Sequence, residues 1–114
     1  MAGSLVKLPT LNQAMFAGRL SAPPERVRSK TGVAARFLVT VMNHRSRGDA
    51  VTVIPCVAWG GIAETILDKL LPGAPLLVSG ALSTRNASKQ MFVRVSSVQF
   101  LYDATADLSS DMSA

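Results

Sequence analysis

Trp59 and a set of cations, Arg36, Arg45, Arg85, Lys89 and Arg94, are the side chains of this sequence best suited to act on a ligand. The indole offers a flat π face, and the guanidinium and ammonium groups offer positive charge and N–H donors. Together they suit a polyanion that also carries flat rings. A base stacked on an aromatic side chain contributes about 1–3 kcal/mol whatever its identity. Each neutralised phosphate of a single strand releases counterions, so log affinity falls with log salt at a slope of about −0.7 per contact. With aromatic residues at 5% of the chain, charge is expected to carry more of such binding than stacking.

Other chemistries lack the residues they need. His44 is the single histidine and Cys56 the single cysteine, which rules out a zinc constellation of the usual spacing. No G-x-x-x-x-G-K-[ST] and no G-x-G-x-x-G occurs, so phosphate-cradling glycine loops have no support. Glu25, Asp49, Glu64 and Asp68 are scattered rather than paired as an acid and a base would be. The expectation is a binding protein, not an enzyme, with no cofactor and no metal.

The 114 residues fit one domain. Residues 1–101 carry all twelve Lys and Arg against four acids, a balance of +8, while 102–114 carry three Asp and no base. A basic body of this kind favours a polyanionic partner or an anionic surface. Residues 1–9 contain no apolar run of signal-peptide length, and no stretch approaches a membrane span. A lone cysteine suits a reducing compartment. The expected location is the cytoplasm, associated with the nucleoid, without membrane contact. The expected organisation is a flexible segment at 1–10, a folded domain at 11–101 and a disordered acidic tail at 102–114.

Short β segments must position these side chains. Residues 33–43 alternate Ala35, Phe37, Val39 and Val41 with Arg36, Leu38 and Thr40, as a half-buried strand does. Residues 51–59 are β-branched, although Pro55 counts against a fully paired central strand and could mark a bulge. Ile62, Ile66, Leu67 and Leu70 fall at helical spacing, and Pro72-Gly73 stops the run. Residues 11–20, 76–85 and 90–101 supply further strands, with Leu76, Val78, Gly80 and Leu82 sharing a face, and likewise Met91, Val93 and Val95. The predicted fold is all-β: a five-stranded OB-fold barrel with one short helix between strands 3 and 4.

Several stretches, in order, resemble the bacterial single-stranded DNA-binding protein family. Leu11-Asn12-Gln13-Ala14-Met15-Phe16-Ala17-Gly18-Arg19-Leu20 is similar to its first strand, and Pro24-Glu25 with Gly32-Val33-Ala34 to the following hairpin. Val57-Ala58-Trp59-Gly60-Gly61-Ile62-Ala63-Glu64 resembles the junction from third strand to helix. Gly80-Ala81-Leu82-Ser83-Thr84-Arg85 and Val98-Gln99-Phe100-Leu101 resemble the fourth strand and the end of the fifth. The likeness implies an OB-fold, single-stranded DNA binding without sequence preference, and a homodimer or homotetramer built by first-strand pairing. Trp59 matches a base-stacking position and Arg85 a basic residue along the DNA path. Arg45, Val53 and Ala87 stand where the family often has tryptophan, and residues 109–114 lack its acidic-then-Pro-Phe ending, which recruits replication and repair proteins.

Alternation alone leaves the face of Trp59 open: Val51, Val53, Pro55, Val57 and Trp59 share one side, Ile54, Cys56 and Ala58 the other, and either could be the core. The resemblance implies the DNA face. Arg36 and Arg94 sit mid-strand among apolar neighbours and should leave the core. Arg45, Arg85 and Lys89 belong to two loops that would flank a groove. Phe16, Phe37 and Phe100 are expected in the core or an interface, and Phe92 in packing, with stacking on a base as its alternative. The implied role is in DNA replication, repair or recombination. A primosomal replication-restart protein of the primosomal replication protein B type, acting mainly through protein contacts, is the alternative.

Overall fold

The computed structural model describes residues 9–101. The expected acidic tail at 102–114 lies outside the described residues, as does the expected N-terminal segment apart from Pro9 and Thr10. The elements are β1 (Ala14–Leu20), β2 (Glu25–Ser29), β3 (Gly32–Asn43), β4 (Ala50–Trp59), α1 (Gly60–Lys69), β5 (Pro75–Thr84) and β6 (Met91–Phe100).

Five of the strands close on themselves. β3 pairs β4 antiparallel, β4 meets β6 in parallel at Cys56↔Val93 and Val57↔Arg94, β6 pairs β5, β5 pairs β1, and β1 returns to β3 at Arg19↔Thr40 and Leu20↔Val39. This is the OB-fold barrel, and α1 lies between its third and fourth strands. β2 is an addition to it, since it pairs only with β3, from Glu25↔Arg36 to Ser29↔Gly32.

Closure needs backbones to approach where β1 crosses from β5 to β3. A Cβ on Gly18 would collide with the Thr40 carbonyl oxygen, so only glycine fits at that crossing. Asn12 extends the β5 edge past the end of β1. Its amide donates to the Leu82 carbonyl and its oxygen accepts from the Leu82 N–H, both at 2.8 Å.

The barrel interior is filled by Leu20, Ala35, Phe37, Val39, Cys56, Ala58, Leu76, Val78, Val93 and Val95, and α1 adds Ala63 and Ile66, with Leu70 just beyond it. Of the predicted stripe, Ile66 and Leu70 are buried and Ile62 and Leu67 pack partly buried against the core, while Ala63 joins them on the inner side. Val41 and Phe16 pack against this core from the edge.

Two expectations about strand regularity are corrected. The β3–β4 register runs unbroken from Ala34↔Trp59 to Asn43↔Ala50, so Pro55 marks no bulge and sits in a fully paired stretch opposite Leu38. Its missing N–H interrupts nothing on the other side, because β6 pairs with β4 only at Cys56 and Val57. The irregularity lies instead between β5 and β6, where Ser79↔Ser97 is followed by Gly80↔Val95. Ser96 is the extra residue, and its hydroxyl donates to the Ser79 carbonyl at 3.0 Å. An extra residue shifts the side-chain alternation by one, which lets both Val95 and Val98 reach the core. Leu82 and Met91, expected to share faces with Val78 and Val93, are 45% and 53% exposed near the turn that closes the β5–β6 hairpin.

Among the described residues no helix is long and apolar enough to cross a membrane. Replacing Gly18 by alanine is expected to force β1 and β3 apart and cost about 1–3 kcal/mol, as overpacking does. A thermal melt should show a Tm lower by at least about 4 °C; an unchanged Tm would mean that the crossing is looser than the structure has it.

Candidate nucleic-acid interface

The face of β4 that alternation leaves open is settled by burial. Cys56 and Ala58 are wholly buried, while Val51 and Val53 are about half exposed at 55% and 51%, and Trp59 is partly exposed. Trp59 therefore stands on the outside of the barrel, at the last position of β4 before the chain enters α1.

Cross-strand register then decides its neighbours. On the outer face, Ala34 lies opposite Trp59, Arg36 opposite Val57, and Leu38 opposite Pro55. β6 adds Arg94 beside Val57, and Phe92, two residues earlier, shares that face. The result is a continuous shallow groove. One stretch is lined by Val27, Ala34, Val57, Trp59 and Phe92 with Arg36 and Arg85, and the adjoining stretch by Leu38, Pro55 and Gln90 with the same Arg36, Val57, Arg85 and Phe92. Its floor is apolar and its charges are positive, save for Glu25 opposite Arg36 near one end.

Arg36, Arg85, Arg94 and Trp59 are thus brought together. Arg36 and Arg94 leave the core as their apolar neighbours require. The Arg94 guanidinium lies over the Trp59 ring, 5.3 Å from its centroid, a cation–π contact of about 0.5–1 kcal/mol at an exposed site. Arg45 is not part of the groove floor. It sits in the β3–β4 connection, where the Gly48 N–H donates to its carbonyl at 3.1 Å and His44 pairs with Asp49 at 3.2 Å. Lys89 also stands apart, in the β5–β6 turn, with a positive φ of 60° and its N–H donating to the Arg85 carbonyl at 2.8 Å. The two loops lead into the starts of β4 and β6, which run parallel, so their exposed cations lie towards the same end of the sheet, and neither is ion-paired among the described residues.

The basic run Arg26, Arg28, Lys30 does not join the groove. Val27 and Ser29 line it, so Arg26 and Arg28 point to the other side of β2, where Arg26 meets Glu64 of α1 at 3.7 Å. Phe92 is the groove residue that composition hid. It is partly exposed beside Arg85 and Val57, and alternation with buried Val93 and Val95 was the signal that could have placed it outside. Phe37 is in the core as expected, Phe16 packs against it, and Phe100 is 45% exposed at the end of β6.

Among the described residues no group of three His, Cys, Asp or Glu could hold a metal ion. Among the described residues the one strongly perturbed group is Cys56, whose thiol burial pushes up to about 12. It is a core residue rather than a nucleophile.

The single-strand binding protein family model matches residues 11–106. The chain belongs to the single-strand binding protein family. Its similar relatives include the single-stranded DNA-binding protein of Clostridium perfringens, 31% identical over 81 residues, covering 70% of this chain and 54% of the relative. Single-stranded DNA-binding protein A of Bacillus subtilis is 32% identical over 102 residues, covering 80% of this chain and 59% of that protein. The chain thus spans between about half and two thirds of the length of these relatives. Among solved structures, a small single-stranded DNA-binding protein from Streptomyces coelicolor superimposes with a TM-score of 0.71 over 85% of this chain and 98% of that one. At 17% identity that likeness speaks for the fold.

The two faces of β4 can be read separately in solution. Acrylamide is expected to quench Trp59 fluorescence in the folded protein, whereas Ellman's reagent leaves Cys56 unmodified at pH 8 until denaturant is added. Because the folded thiol titrates near 12 rather than at 9.0, its contribution to stability is intact below pH 9 and is lost progressively as pH rises from there towards 12. A native protein whose Cys56 reacts as fast as a free thiol would contradict this placement.

Proposed function

We propose that this chain binds single-stranded DNA without sequence preference, along the outer groove of β2, β3, β4 and β6, and serves DNA replication, repair or recombination. The observation that carries the reading is the grouping of Trp59 and Phe92 with Arg36, Arg85 and Arg94 on one outer face. Family membership and the relatives' names support the ligand. The groove offers π faces and positive charge, and it offers no set of fixed, convergent donors and acceptors that would read one base against another. Arg45 and Lys89 extend the positive field from the two loops. The primosomal alternative gains nothing from the relatives named above, each of which is a single-stranded DNA-binding protein.

We further propose assembly into a dimer or tetramer through β1. That strand spends one edge on β5 from Ala14 to Arg19 and meets β3 only at Arg19 and Leu20. Its other edge, from Ala14 to Gly18, has no strand partner among the described residues, and Met15 beside it is 62% exposed. An open edge of that kind accepts a second strand.

Fluorescence anisotropy of a labelled oligo-dT tests the binding. It should saturate at low salt, and the log–log salt dependence should have a slope of about −0.7 for each phosphate neutralised. Trp59→Ala should weaken binding by about 1–3 kcal/mol, roughly 5- to 150-fold, with little change of that slope. Absence of saturable binding at low salt would remove the proposal.

A further inference from the structure

Arg94 differs from the other groove cations in what holds it. Its guanidinium rests on the Trp59 ring, and no carboxylate pairs with it among the described residues. β3 runs beside Trp59 as its paired strand. There Ala34, the cross-strand partner of Trp59, is only 3% exposed although it lies on the outer face, because it sits between Trp59 on one side and Val27 on the other. Trp59 is thus flanked by β3 through Ala34 and covered by Arg94 from β6.

We infer that Arg94 is a displaceable cover on Trp59: it shields the indole in the free protein and moves onto a phosphate when a base takes its place on the ring. The inference rests on the reading that the groove holds a single strand. A base that stacks on the ring face Arg94 covers has to displace the guanidinium. The exchange runs in that direction because base–aromatic stacking outweighs an exposed cation–π contact. The departing guanidinium does not leave the site, since its Cα stays opposite Val57 in the groove floor, within side-chain reach of a backbone passing over it. A free base or nucleoside would have to break the cation–π contact without offering the guanidinium an anion. A linked nucleotide does both at once. Arg94 is therefore a specificity-determining residue that couples stacking on Trp59 to the presence of a phosphate.

Trp59 is the only tryptophan, so its ring current marks Arg94 without ambiguity. In NMR spectra of the whole chain the Arg94 δ-methylene protons are expected upfield in the free protein, and at ordinary positions in Trp59→Leu. Saturating oligo-dT at low salt should abolish the upfield shift in the unsubstituted protein, with binding followed independently by anisotropy. Arg94→Met should weaken low-salt binding without abolishing it and make the salt slope shallower by about 0.7. If anisotropy reports binding while the upfield shift persists, or if Arg94→Met keeps the full slope, the cover is wrong and the proposed function stands. If anisotropy reports no binding at all, both fall.

Discussion

Because successive side chains of a strand face opposite sides, burying Cys56 and Ala58 in the barrel, with Ile54 packed against the same core, obliges Pro55, Val57 and Trp59 to face out. This constraint on β4 organises everything that follows. β4 is the strand on which the barrel closes, paired with β3 along its whole length and with β6 at Cys56 and Val57. A slip of one residue would bring the indole inside and expose the thiol. The same ladder places Arg36, Leu38 and Arg94 on the outer face as cross-strand neighbours, so core packing and groove composition are two readings of one register.

Charge is segregated by the same geometry. Of the four acids in the body, Glu64 and Asp68 lie on α1, and Asp49 is drawn to His44 in the β3–β4 connection. Arg26, which could have added to the groove, is turned to the other side of β2 and meets Glu64. Only Glu25 is left near the positive track. The field over the groove is therefore more positive than the net charge of +5 conveys, a condition that attracts a phosphate backbone and loses strength with salt.

Much of this was legible in the sequence, and the residues show why. Period-two patterns around Phe37 and Val39 and a helical stripe ending at Leu70 fixed the elements, and the outward placement of Arg36 and Arg94 followed from the cost of burying a charge. What local pattern could not supply was long-range pairing. Pro55 looked like an interruption because the absence of a β6 partner beside it is a fact about strand register, not composition. The extra residue Ser96 was invisible for the same reason, since nothing in Val95-Ser96-Ser97-Val98 says which partner is skipped. For Phe92 packing was preferred over stacking because its groove neighbours, Val57 and Arg85, come from another strand and from the β5–β6 connection. The Arg94–Trp59 contact joins residues far apart in the chain that only barrel closure brings together.

The central claim, that a single strand runs over the outer face of β4, is tested most directly by photocrosslinking. Oligo-dT carrying 5-iodouracil, irradiated with the whole chain and mapped by mass spectrometry, should attach to peptides containing Trp59 and Phe92. Attachment confined to α1, with neither aromatic modified, would contradict the account.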